Sequence, residues 1–174
     1  MIPDTPPEAA ATPAGAPGFP LPPTDGATPE VAQRQAVMGL LNRATLAELQ
    51  AAIERFQPLP KVHVLRPPEV GLVMVQGRTG GDGAPFNLGE ATVTRAAVHL
   101  DGGATGVSYL LGRAPEKAKA AALLDALWQD PALRIAVEDA LRPLRRRLAA
   151  EAARTQQDTD ATRVNFFTMT RGED

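Results

Sequence analysis

The residues of this chain best suited to chemistry are a glycine run and the arginines around it. An apolar run from Leu72 to Val75 leads through Gln76 and Gly77 to Arg78. It then breaks into Gly80, Gly81, Asp82 and Gly83 ahead of Pro85. Glycines let backbone N–H groups converge on an anion without side-chain obstruction, and guanidinium forks hold phosphate or phosphonate oxygens two at a time. Arg95 lies in the next β-type run and Arg113 just past the end of the one after it, so pairing of these strands would gather the arginines near one end of a sheet. The candidate ligand-binding set is therefore Arg78, Gly80, Gly81, Gly83, Arg95 and Arg113. Two plainer readings stand beside it. The glycines also suit a simple strand-to-strand connection that needs positive backbone angles. The arginines can equally pair with Asp82, Glu90 or the carboxylates of another chain. The loop lacks the Lys-Ser/Thr pair of a P-loop and the spacing of a dinucleotide-binding turn.

The second feature lies near the C-terminus, where Val164, Phe166, Phe167 and Met169 crowd a short segment ending in Arg171 and Gly172. Such a segment is too apolar for a solvated end and is expected to pack on its own domain or on another chain. Phe166, Phe167, Met169 and Arg171 are the candidate interface residues. No nucleophile with a neighbouring base, and no close carboxylate pair, forms a motif of its own. The chain has no cysteine, and its two histidines, His63 and His99, lack metal-ligand spacing, so no metal site is expected. The basic run Arg145, Arg146 and Arg147 reads as a solvated helix face balanced by Glu138, Asp139 and Glu151.

The elements that must position these residues follow from local signals. Thr28 before Pro29 is an N-cap with a first-turn proline, opening a helix with Val31, Met38 and Leu41. Thr45 and Glu48 form a capping box, and Leu49, Ile53 and Phe56 give the next helix an apolar stripe that ends at Pro58 and Pro60. Strands are predicted at Val62 to Leu65, Leu72 to Arg78, Ala91 to Leu100 and Thr105 to Leu111, with Asp101, Gly102 and Gly103 turning the last two into a hairpin. Pro115 opens a helix with Leu123, Leu124 and Leu127 on its buried side. Asp130 and Pro131 open another, which Pro143 should kink or break. Residues 155–162 read as a polar linker. The order predicts an α+β fold: an antiparallel sheet of about four strands with N-terminal and C-terminal helices packed on it.

Composition sets the outer limits. The first 30 residues hold nine of the 17 prolines and no Lys or Arg, so residues 1–28 read as a disordered Pro/Ala-rich leader and 29–174 as a single domain with a C-terminal tail. The leader has neither the basic start nor the apolar stretch of a secretory signal. Beyond residue 30 the chain carries 18 basic and 16 acidic residues, too even a balance for general nucleic-acid binding. No apolar run reaches membrane-spanning length. A cytoplasmic protein is expected.

Several separated strings, in one order, carry a family resemblance. They are G-L-V at 71–73, R-T-G-G at 78–81, A-T-V-T-R-A-A-V at 91–98, G-R at 112–113, L-L-D-A-L at 123–127 and F-F-T-M-T-R-G at 166–172. From about Arg34 to Gly172 the chain resembles PhnG, the G subunit family of the bacterial carbon–phosphorus lyase system. The proline-rich leader departs from the shorter start expected of that family. The resemblance implies a subunit that works with PhnH, PhnI and PhnL to make α-D-ribose 1-methylphosphonate 5-triphosphate from ATP and methylphosphonate, releasing adenine. It also implies a core complex of the G, H, I and J subunits, with the I subunit bearing the nucleosidase chemistry. ATP is then a substrate of the complex, and no cofactor of this chain is implied. Three roles stay open: a noncatalytic subunit that holds the synthase together, a contributor of ligand-binding arginines to a shared active site, and a free-standing anion-binding protein.

Overall fold

The computed structural model describes residues 28–80 and 83–162. The leader and the Phe166 to Arg171 segment lie outside the described residues. The chain divides at Leu148 into two units. In the larger one, α1 (Pro29–Arg43) and α2 (Leu46–Glu54) precede a sheet of β1 (Val62–Arg78), β2 (Pro85–Leu100) and β3 (Thr105–Leu111). Helices α3 (Pro115–Gln129), α4 (Pro131–Ala140) and the start of α5 (Arg142–Ala161) follow. The sheet is three-stranded, in the order β1-β2-β3, with both pairings antiparallel. The fold is α+β, with helices packed on one antiparallel sheet.

The helix ends form where the local signals place them. Thr28 accepts a hydrogen bond from Val31 N–H, Thr45 and Glu48 complete a reciprocal capping box, and Asp130 accepts from Ala132 N–H. Each satisfies donors that a helix start leaves without a partner. The α4 helix ends at Ala140, and Pro143 falls in the first turn of α5, where its missing N–H costs nothing. The Asp101–Gly103 turn joins β2 to β3 as expected, with Gly103 N–H donating to Leu100 O.

Two expectations change. The first two strand candidates are one strand, β1, which runs through Pro67 and Pro68 with register shifts between Val64 and Arg66 and between Arg66 and Glu69. β1 pairs only with β2, and an edge strand tolerates proline at such irregularities because only one of its sides needs donors. Residues 155–161 are helix rather than linker, since α5 continues to Ala161. There the polar side chains bond along the helix: Thr155 Oγ1 donates to Glu151 O, Thr159 Oγ1 to Thr155 O, and Gln156 to Asp160. On α1 the buried apolar residues are Val37 and Leu41, and Val31 is exposed.

The core centres on α3. Its face formed by Ala118, Ala122 and Ala126 lies directly on β3, so close that a Cβ at Gly106 would sit 1.9 Å from Ala122 O and 2.4 Å from Ala126 N. Small residues on both sides allow that approach. Ser108 Oγ then donates to Ala118 O across the same contact. Leu124, Leu127 and Trp128 of α3 are fully buried with Leu41, Leu49, Val137, Leu141 and Leu144 of the surrounding helices. Thr94, Ala96, Val98 and Leu100 of β2 line the helix side of the sheet, alternating with residues that face away from it. The described part of the second unit, residues 149–162, is the continuation of α5.

Candidate functional site

The register of the sheet places the three arginines in three different settings. Arg78 ends β1 opposite Pro85 at the tip of the β1–β2 hairpin, and its guanidinium donates to Gly83 O at 3.3 Å. Gly83 N–H donates to Thr79 O at 3.0 Å, and Gly80 adopts a φ of +64°. These glycines close a tight connection. Gly81 and Asp82 lie outside the described residues. Arg95 stands opposite Glu69 and Tyr109, nine residues of β1 away from Arg78, or about 30 Å along an extended strand. The arginines therefore do not converge at one end of the sheet, because β1 and β2 continue far past the last residue of β3.

Arg95 belongs to an ion-pair group. Glu69 accepts from Arg95 Nε and from Arg66 Nη1, both at 2.6 Å, and these two guanidinium groups hold its carboxyl below the usual range. Glu90, the neighbour suggested by sequence, instead faces Met74 across the ribbon. Arg113 sits in the connection from β3 to α3. Thr94 fixes that connection by donating Oγ1–H to Gly112 O at 2.6 Å and accepting from Ala114 N–H at 3.0 Å. Thr94 is buried on the helix side of β2, whereas strand alternation turns Arg95 to the opposite face. Arg113 forms no hydrogen bond or ion pair with any other described residue, so its guanidinium is the one of the three that is open to a ligand or partner. Its neighbour Ala114 caps α3 without a side-chain hydrogen bond.

The most deeply buried charged group among the described residues belongs to no motif. Asp125 of α3 is fully buried and receives a fork from Arg34 of α1, with Nε at 3.0 Å and Nη2 at 2.7 Å. It also accepts Val107 N–H at 2.8 Å. Gln129 adds a bond to Asp125 O and another to Thr105 O. Together these side chains occupy the outer edge of β3 and tie α1, α3 and the sheet to one point. The pairing with Asp125 raises the Arg34 guanidinium further above its usual value. The signal available in sequence was a lone Asp inside the apolar L-L-D-A-L string.

A second cross-link joins α2 to α5. Arg147 donates Nε–H to Glu48 at 2.7 Å and reaches Arg43 O at 3.2 Å. Glu48 thus serves both as the capping-box carboxylate and as the partner of Arg147. The Arg147 bond is the main cause of its depressed pKa, about 2. Arg145 pairs with Glu138, as the charge pattern suggested, and Arg142 pairs with Asp139. Nearby, burial lowers the Lys117 ammonium, whose Nζ donates to Asn42 O at 2.8 Å. On the face of the sheet away from α3, Val73, Val93, Tyr109 and Leu111 line a depression of about 290 Å³ bordered by Asn42 and Arg43. Among the described residues, no group of three or more His, Asp or Glu side chains is placed to hold a metal ion. No helix among them is long and apolar enough to cross a membrane.

What the larger unit exposes most is apolar ribbon. Beyond the end of β3, the β1–β2 hairpin shows Leu72 at 60 % exposure, Met74 at 52 % and Leu88 at 63 %, with Val75 and Phe86 also exposed. Neither face of this stretch is covered by a helix of that unit.

Comparison with known proteins places the chain. Residues 32–172 match the family model described as phosphonate metabolism protein PhnG. A protein of Rhizobium meliloti (strain 1021), named alpha-D-ribose 1-methylphosphonate 5-triphosphate synthase subunit PhnG, is 52% identical over 144 residues. The match covers 83% of this chain and 92% of that protein.

Proposed function

Because the chain belongs to the PhnG family of phosphonate metabolism proteins, we propose that it is a subunit of an α-D-ribose 1-methylphosphonate 5-triphosphate synthase. The complex would transfer the ribose 5-triphosphate moiety of ATP to methylphosphonate and release adenine. The observation that carries this reading is the 52% identity, spanning 92% of a protein that bears the name of that synthase subunit. The proposed partners are PhnH, PhnI, PhnJ and PhnL, and the proposed location is the cytoplasm. ATP enters as a substrate of the complex, not as a cofactor of this chain.

Within the complex we assign the chain an accessory role. Its buried polar groups serve architecture: Asp125 holds α1 and β3, Thr94 holds the β3–α3 connection, and Ser108 bonds to α3. Displacement of a purine by a phosphonate oxygen passes through oxocarbenium-like charge, and an accessory chain assists by keeping the groups that do this work in register. Phe166, Phe167, Met169 and Arg171 are proposed interface residues of the C-terminal segment.

One observation favours a second reading, in which the chain completes a shared anion site. Arg113 is unpaired among the described residues and adjoins the amino end of α3, where backbone N–H groups favour negative charge. Arg78, Gly80, Gly81, Gly83 and Arg95 are the further candidates under this reading.

The test is adenine release from ATP plus methylphosphonate by purified PhnH, PhnI and PhnL, with and without this chain. Release coupled to ribosyl phosphonate formation only in its presence supports the subunit reading, and equal release without it rejects that reading. Arg113→Ala and Arg78→Ala then separate the two roles. A variant that assembles normally and loses turnover supports a shared site. Activity that falls only in proportion to assembly supports the accessory role.

A further inference from the structure

The exposed stretch of the β1–β2 hairpin has a property that narrows what can cover it. Opposite register positions share a face, so Leu72 and Met74 lie on the helix side of the sheet, beyond the last row of β3. Val73 and Val75 lie on the other face. Past the register shift between Val75 and Gln76, Phe86 stands opposite Gly77. The Leu88 side chain lies over Gly77, its Cδ1 2.6 Å from where a Cβ would be. Gly89, with φ of +154°, absorbs the extra residue on β2. Each face of a two-stranded ribbon therefore carries its own apolar cluster.

The five exposed side chains at 72, 74, 75, 86 and 88 are each at least 39 % exposed. At about 200 Å² for a large apolar side chain in the open, they present on the order of 500 Å². With the intervening backbone, that approaches the roughly 800 Å² each partner contributes to a stable interface. A two-stranded ribbon alone is at best marginally stable in water, which is a further reason for a cover on both sides. Charged groups interrupt the clusters little: Glu90 faces Met74, and Gln76 is bonded to Asn87.

We propose that this ribbon is an arm that inserts into an apolar cleft of another subunit of the complex, which clasps both of its faces. The inference rests on the subunit reading above. A second copy of this chain fits less well. In a two-fold contact a surface meets its own equivalent, so one such interface would bury one face of the ribbon and leave the other wet.

The experiment uses the full chain co-expressed with tagged companion subunits. Leu72→Asp and Leu88→Asp place a charge on opposite faces of the arm, and each is expected to reduce co-purification by about tenfold or more. The melting temperature of each isolated variant should stay at the wild-type value. Ile135→Asp, at an exposed apolar position on α4, is expected to leave assembly intact. Hydrogen exchange of the wild-type chain supplies a readout independent of any variant. Amides in 70–77 and 85–92 should slow by about tenfold or more when the complex forms.

Unchanged exchange in those peptides would overturn the proposal, as would loss with only one of the two arm variants, or equal loss with Ile135→Asp. A homodimer of the isolated chain that Leu72→Asp converts to a monomer would assign the arm to a second copy instead. Failure of the wild type to assemble would sink the subunit reading first, and this inference with it. Normal assembly of both arm variants would sink this inference alone.

Discussion

Near Leu100 the sheet is three strands wide with α3 lying on it, whereas near Arg78 it is two strands wide, and no helix among the described residues of the larger unit covers either face. The same two strands build both regions, and β-type residues fill both, yet their side chains meet opposite surroundings. At the base, Gly106 lets α3 approach within contact of the β3 backbone, and Asp125 with Gln129 occupies the outer edge of β3. At the tip, Leu72, Met74 and Leu88 stand in the open. The lesson is that an apolar strand is not by itself evidence of a core. Internal packing explains the base, and the tip makes sense as a surface made for another chain.

A pair of glycine substitutions is expected to separate the two regions most strongly. Gly106→Ala would set a Cβ 1.9 Å from Ala122 O, so α3 must move. We expect a loss of about 3 kcal/mol or outright unfolding in chemical denaturation. Gly71→Ala, in the row where β3 ends and the two-stranded ribbon begins, has nothing within 4 Å of the added Cβ and should change stability by less than about 0.5 kcal/mol. Similar costs at the two positions would mean that base and tip do not differ as described.

Next in size is the buried pair. Arg34→Ala leaves the Asp125 carboxylate enclosed without its cation, and removal of one partner of such a pair costs about 3 kcal/mol. Denaturant midpoints should show it, and Arg34→Lys should recover only part, because an ammonium cannot make the two-pronged contact. The contrasting change, on the exposed face of β1 within the same three-stranded region, is Arg66→Ala, which deletes an exposed bond to Glu69. It is expected to cost well under 1 kcal/mol.

A smaller effect concerns acid. The Glu48 carboxyl is depressed from the usual 4.5 to about 2 in the folded chain, first of all by Arg147. A carboxyl lowered in this way contributes stability that is complete above its unfolded value and is lost as pH falls through its folded value. Melting temperature should therefore fall as pH drops from about 4.5 towards 2, and Glu48→Gln should flatten that slope. An unchanged slope would show that the bond between α2 and α5 contributes nothing in solution.

Much of the fold was legible because its signals are local. Thr28 with Pro29, Thr45 with Glu48, and Asp130 with Pro131 each act on donors no more than three residues away. The Asp101–Gly103 turn and the break between α4 and α5 are equally short-range. The proline pair at 67 and 68 misled for the same reason. Locally it ends a strand, and only its place on a sheet edge lets the strand continue. The polar run at 155–161 misled in the opposite sense, since its hydroxyls bond to helix carbonyls one turn back.

The site divides along the same line. Sequence alone determined the family, through separated strings in one order, and the residue types available for anion contact: Arg78, Arg95 and Arg113. Tertiary structure decided which of them share a setting. Antiparallel register set Arg78 about 30 Å of strand from Arg95, and Thr94 fixed Arg113 in the β3–α3 connection. Asp125 shows the limit most plainly. Its partners Arg34 and Val107 lie 91 and 18 residues away, so no pattern along the chain could reveal the fork. Short-range hydrogen bonds and periodicity are written in neighbouring residues. Register, edge coverage and buried charge pairing depend on which distant segments meet, and that is settled only when the helices close over the sheet.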